Sequence, residues 1–199
     1  ANDCPIGRYG VVGSRKCVAC ALGKYGQGSE CITCPQQCLA RGSKIFGEET
    51  IVTAELVSPR SAVAADLDGD GDLDIATASD GDNKIAWLEN INGKGIFGSP
   101  QVITSNAKSA YTVIATDIDG DGDIDLVSGS RDDNKIAWYK NIDGKGTFGP
   151  VQVVTTQASY VECVIGADID GDGDIDLASA SPKDNKVAWY ENLDGRGTY

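Results

Sequence analysis

The chain contains no histidine and no methionine, and it lacks both a long apolar run and any cluster of basic residues. Each absence excludes something. Without histidine, a zinc site would have to be built from thiolates, and the commonest general base is missing. No Gly-rich phosphate loop or nucleophile elbow is visible either, so the sequence offers no catalytic constellation and is expected not to be an enzyme. No apolar run approaches the ~18 residues of a membrane helix, so no membrane span is expected. The lack of basic clusters, with a net charge of −13, argues against nucleic acid or an anionic membrane surface as partner. Without methionine, Ala1 is not a retained initiator, and "ANDCPIG" has no charged-then-apolar leader. The expectation is a mature secreted chain whose signal peptide has been removed, or a fragment of something longer. Asn-x-Ser/Thr sequons are also absent, so any glycan would be O-linked.

What is present is concentrated. Six of the seven cysteines lie between Cys4 and Cys38, and 15 of the 30 acidic residues lie in three aspartate-rich stretches. The first feature points to disulfides made outside the reducing cytosol. The second shows that the acidity is patterned and not a general solubilising surface. The two features divide the chain near residue 42 into a cysteine-rich module, 1–41, and a repeat region, 42–199.

The repeat has a period of 51 residues, counted on Asp66, Asp117 and Asp168 and again on Trp87, Trp138 and Trp189. Phe46, Phe97, Phe148 and Tyr199 keep the same spacing, giving units 46–96, 97–147 and 148–198. A unit of this length suggests a solenoid or propeller element. In the second unit, "QVITS", "AYTVIATD", "DLVSGS" and "KIAWYKNI" read as strands, with Asp143-Gly144 as tight-turn chemistry. No segment carries a helical stripe. In "KIAWYKN", Ile136 and Trp138 face one side and Ala137 and Tyr139 the other, so both faces are apolar. That suits a sheet stacked between two others. The predicted fold is all-β: three four-stranded propeller-type blades after a small disulfide-rich module. The recurrence of the tryptophans within a strand marks them as core.

The aspartate stretches follow D-x-D-G-D-G-D-x-D. Five carboxylates in nine residues repel one another unless a cation is held among them. Side chains at positions 1, 3 and 5 converge where the glycines let the backbone curl, position 7 gives its carbonyl, and position 9 closes the shell. An all-oxygen, flexible donor set selects Ca²⁺ over Zn²⁺ or Mg²⁺. The expected ligands of three Ca²⁺ sites are Asp66, Asp68, Asp70, Asp72 and Asp74; Asp117, Asp119, Asp121, Asp123 and Asp125; and Asp168, Asp170, Asp172, Asp174 and Asp176. Asp72, Asp123 and Asp174 hold position 7, whose side chain usually points outward. Three divalent ions would bring the formal charge from −13 to −7 (three times +2). An EF-hand is disfavoured because the flanking "IATAS", "LVSGS" and "LASAS" are strand-like and no glutamate closes a twelve-residue loop.

Residues 46–199 resemble FG-GAP/VCBS repeats, as in the propellers of integrin α-subunits and many secreted microbial and algal proteins. The Phe-Gly pairs at 46, 97 and 148, the "DxDGDGxxD" loops and "NKIAWLEN", "NKIAWYKN" and "NKVAWYEN" carry the resemblance. It implies β-propeller blades with Ca²⁺ in a loop of each. The family also includes lectins and domains attached to enzymes.

In the first module, Cys4-Pro5-x-Gly7-x-Tyr9-Gly10 is echoed by Cys20-x-x-Gly23-x-Tyr25-Gly26, and Cys17-x-x-Cys20 by Cys31-x-x-Cys34. This resembles the cysteine-rich repeats of ephrin-receptor-like and TNF-receptor-like ectodomains. Paired CxxC also permits zinc. Among the pairings open to six cysteines, the internal repeat suggests Cys4–Cys17, Cys20–Cys31 and Cys34–Cys38. Cys163, in register with Ser61 and Thr112, is expected to be a buried free thiol, with an intermolecular bridge as the alternative.

Propellers need about four to eight blades to close, and three periods leave unsatisfied blade faces. The expected function is therefore an extracellular, calcium-binding structural or adhesive protein, a subunit of a surface assembly or filament. Its partners would be other copies of itself or further blades. The alternatives are a propeller lectin that binds glycans between blades, and a non-catalytic domain of a larger secreted enzyme.

Overall fold

The computed structural model describes residues 48–199 and, before them, the backbone of four short strands. These four are β1 (Arg8–Gly10), β2 (Cys17–Ala19), β3 (Lys24–Gln27) and β4 (Glu30–Thr33). They form two antiparallel pairs, with Gly10 opposite Cys17 and Gly26 opposite Cys31. The two echoes of the cysteine repeat thus share one backbone register. The three expected disulfides lie outside the described residues. Compact units cover Ala1–Thr50 and Ile51–Tyr199.

The second unit is built only of antiparallel sheet. Strands β5 (Pro59–Ala65), β6 (Asp74–Ser79), β7 (Lys84–Leu88) and β8 (Gln101–Thr104) form the first sheet, in that order. The second is β9 (Ala110–Thr116), β10 (Asp125–Ser130), β11 (Lys135–Tyr139) and β12 (Gln152–Thr155). The third is β13 (Cys163–Ala167), β14 (Asp176–Ser181) and β15 (Lys186–Tyr190). Among the described residues, no helix is long and apolar enough to cross a membrane.

The sheets run out of phase with units counted from phenylalanine. "QVIT" at 101–104 opens the second sequence unit but pairs with β7 of the first sheet, Trp87 opposite Gln101. Each outer strand is therefore drawn from the start of the next period. The third sheet has three strands where a four-stranded blade is expected. The middle turns are set by Asn83, Asn134 and Asn185, all at positive φ, where asparagine is among the residues that tolerate the left-handed region.

Alternation within the strands creates two cores. Ala137 and Tyr139 face the first sheet, in a cluster with Leu67, Ala78, Ile85 and Trp87. Ile136 and Trp138 face the third, with Val161, Val164 and Leu177. The middle sheet is thus buried on both faces, as its sequence pattern predicts. Glycine completes the fit between blades: a Cβ on Gly197 would lie 2.3 Å from Trp138, and one on Gly146 only 2.2 Å from Trp87. On the edges opposite the aspartate loops, the Arg131 guanidinium lies over the rings of Tyr111 and Tyr160, at 3.2 and 4.4 Å from their centroids. It also pairs with Glu162, tying the second blade to the third.

The far face of the third sheet is open, which corrects two expectations. Trp87 and Trp138 are 3% and 2% exposed, but Trp189 is 49% exposed, beside Val187 at 84% and Ile165 at 53%. Cys163 is an exposed free thiol, whereas Thr112, its counterpart one period earlier, is buried. The cause is the same in both cases: the first two sheets have a following blade on this face.

Candidate metal centre

Each aspartate stretch bridges the first two strands of its sheet, an edge strand and its neighbour. Asp66 follows the end of β5 and Asp74 opens β6, and the pattern repeats at Asp117 and Asp125 and at Asp168 and Asp176. The bend is tied from within. Asp66 accepts hydrogen bonds from the N–H groups of Gly69 (2.8 Å) and Gly71 (3.0 Å). Asp117 does the same with Gly120 and Gly122, and Asp168 with Gly171 and Gly173. The loop needs glycine for this course, since Gly71 sits at φ 92° and Gly122 at φ 93°.

The curl brings the carboxylates of positions 1, 3 and 5 together in two loops. Ligand oxygens of Asp66, Asp68 and Asp70 lie within 4.8 Å of one another, as do those of Asp168, Asp170 and Asp172. In the second loop the group within that distance is Asp117, Asp119 and Asp125. Oxygens this far apart can sit on opposite sides of one Ca²⁺, whose bonds are about 2.3–2.6 Å long. The donor set fits: it is all carboxylate, and Asp119 Oδ1 is buried with no hydrogen-bond partner. Asp121 is outside the second group and holds Lys140 Nζ at 2.8 Å, which keeps its carboxyl below the usual range.

Position 9 has a double role. Asp74 accepts from the N–H groups of Leu67 (3.0 Å) and Asn90 (2.8 Å), and Asp176 from those of Ile169 (3.2 Å) and Asn192 (2.8 Å). Asp125 makes the same pair with Ile118 and Asn141. Each of these oxygens keeps a lone pair for a cation. Position 7 points elsewhere: Asp72 packs against Gly93, Asp123 against Gly144 and Asp174 against Gly195, at the tight turns of their own blades.

Crowding leaves an electrostatic mark. Burial, then the charges of Asp74, Asp70 and Glu89, raises the Asp68 carboxyl above its ordinary value. Burial pushes Asp125 up to about 7, against the opposing N–H bonds of Asn141 and Ile118. These acids are expensive to ionise with no cation beside them.

Sequence reasoning missed the residue that links one loop to the next. Asn141 Nδ2 donates to Ile124 O (3.2 Å) in its own blade and to Leu67 O (2.8 Å) in the loop of the preceding blade. Asn192 repeats this with Ile175 O and Ile118 O. Its 51-residue recurrence at Asn90, Asn141 and Asn192 was the available signal. Replacing Asn141 with alanine should destabilise the repeat region by about 1–3 kcal/mol, because the carbonyl of fully buried Leu67 loses its side-chain donor. Urea denaturation measures this; no change in midpoint would contradict the role.

Between the second and third loops lies a cleft of about 490 Å³, lined by Thr116, Asp117, Ile118, Asp174 and Ile175 among others. Among the described residues, no aromatic side chain lines it.

A family model described as FG-GAP-like repeat matches twice, over residues 66–128 and 117–179. Each match starts at the first aspartate of a loop and runs through the next loop. No curated protein sequence matches the chain. A solved structure of an Agrocybe aegerita lectin, studied for its recognition of non-reducing terminal N-acetylglucosamine, is similar with a TM-score of 0.49 and 25% identity. The alignment covers 68% of this chain and 35% of that one, so the chain spans about a third of the lectin's length. The two repeat matches together take in more than half of the residues, and the chain belongs to the FG-GAP-like repeat family.

Proposed function

We propose that the chain is an extracellular structural repeat protein whose loops bind Ca²⁺ and whose third blade accepts a further blade. That blade would come from a longer chain or from another copy. The observation that carries this reading is the contrast between Trp138, sealed under the next blade, and Trp189, in the same register but half in water. With Val187 and Ile165 it makes an apolar sheet face of the kind that covers itself by association. A contact between unlike faces propagates into filaments unless it closes a ring, which supports a surface assembly. The cysteine density of residues 1–41 and the ectodomain-like echo support the extracellular setting.

Sedimentation velocity with matched electron microscopy tests this. In calcium the chain should associate, and Val187→Glu should return it to a monomer. A wild-type chain that stays monomeric at high concentration would overturn self-association and leave the open face to a blade of a longer chain. The glycan reading is weaker, because Trp87 and Trp138 are buried between blades and unavailable to stack on a sugar. A glycan array showing specific binding would restore it.

A further inference from the structure

We propose that Lys140 is a built-in competitor for the cation of the middle loop, so that the three loops do not bind Ca²⁺ equally. Loops 66–74 and 168–176 fill first, and loop 117–125 fills only once the lysine is displaced. This rests on the calcium reading above.

Lys140 is the residue directly after β11, and its counterparts after β7 and β15 are Glu89 and Glu191. Where two blades bring an acid to this position, the middle one brings an ammonium. Its Nζ reaches back to Asp119 Oδ2 in a very short contact and to Asp121 Oδ2 at 2.8 Å. Both partners belong to the expected ligand set, and Asp119 is the more buried of them.

The loop is altered accordingly. In the first and third loops the N–H at position 5 donates to the carboxylate at position 3, Asp70 to Asp68 and Asp172 to Asp170, each at 3.2 Å. Loop 117–125 has no such bond: Asp119 is turned to the lysine, with its other oxygen buried and unpartnered. The converging group shifts as well, from positions 1, 3 and 5 to positions 1, 3 and 9.

Two consequences follow from charge alone. A tethered cation offsets the charge of Asp119 and Asp121 when no metal is present, a compensation that Glu89 and Glu191 cannot give the neighbouring loops. The same cation opposes Ca²⁺ entry, because a unit charge a few ångströms from the ion shifts affinity by roughly tenfold or more at intermediate dielectric. Lys140 is about one third exposed and can swing into water, so the metal displaces it without unfolding the blade.

Isothermal titration of the metal-stripped full chain with CaCl₂ tests this. Two tight sites and a third at least about tenfold weaker are expected. Lys140→Gln should bring the third site close to the others, while lowering the melting temperature in chelator. An ordinary structural ion pair would lower the melt without strengthening calcium binding. The converse variant Glu89→Lys should create a second weak site, and it guards against failure of the first variant to fold. Three equal sites in the wild type, or a weak site that Lys140→Gln leaves unmoved, would overturn the proposal. Absence of calcium binding at every loop would instead overturn the calcium reading, and this inference with it.

Discussion

Excess chelator is expected to lower the melting temperature of the repeat region by roughly 10–20 °C. At a calcium concentration about a hundred times the dissociation constant, each site adds about 2.7 kcal/mol, so two tight loops give about 5 kcal/mol. That is comparable with the whole stability of many domains. The structural cause is local. Without metal, acids such as Asp66, Asp68 and Asp70 stay grouped within 4.8 Å, and Asp74 and Asp125 remain buried at the starts of β6 and β10. Either the carboxylates protonate or the loops open, and an open loop releases the Asn141 and Asn192 bonds that hold neighbouring blades. Scanning calorimetry with and without chelator reads the effect directly. An unchanged melt would remove the structural role of the ion.

Truncating Trp138 should have the other large effect. Trp138→Ala is expected to destabilise the repeat region by about 3–5 kcal/mol, from lost burial and the cavity left between the second and third blades. Its surroundings have little means of closing that cavity. Gly197 already sits so close that a Cβ there would be 2.3 Å from the ring, and Val161, Val164 and Leu177 belong to strands and loops fixed by their own pairing. Trp189→Ala, at the same register position one blade on, should change monomer stability by less than about 1 kcal/mol. It should weaken association instead. Equal destabilisation by both substitutions, measured by urea denaturation at low concentration, would contradict the packing described here.

Much of this was legible in the residues. The two-faced strand around Trp138 could be read because alternation in a strand assigns side chains to faces before any partner is known. The aspartate loops were legible because ligand chemistry demands both residue type and spacing. The phase of the sheets was not, since a period shows what recurs but not which hairpin closes a sheet. "QVIT" at 101–104 pairs with the strand before it for that reason. Exposure of Trp189 and Cys163 was hidden by the same repetition: identical positions differ only in what lies next to them. Position 9 proved to be both a candidate ligand and a strand anchor, a role that depends on N–H groups 7 residues before it and 16 after it. Lys140 escaped notice because one lysine at a strand end reads as a solvated charge. Its partners lie 21 and 19 residues earlier, across a loop whose course a linear reading does not give. Asn141 meets Leu67 across 74 residues, a contact that only the stacking of blades creates.

The most direct measurement is anomalous diffraction from crystals of the chain grown in calcium. The account predicts an anomalous peak inside each aspartate loop, coordinated at about 2.3–2.6 Å by oxygens that include Asp66, Asp117 and Asp168, with Lys140 turned away from the middle one. Loops that remain closed on themselves with no such peak, in millimolar calcium, would contradict it.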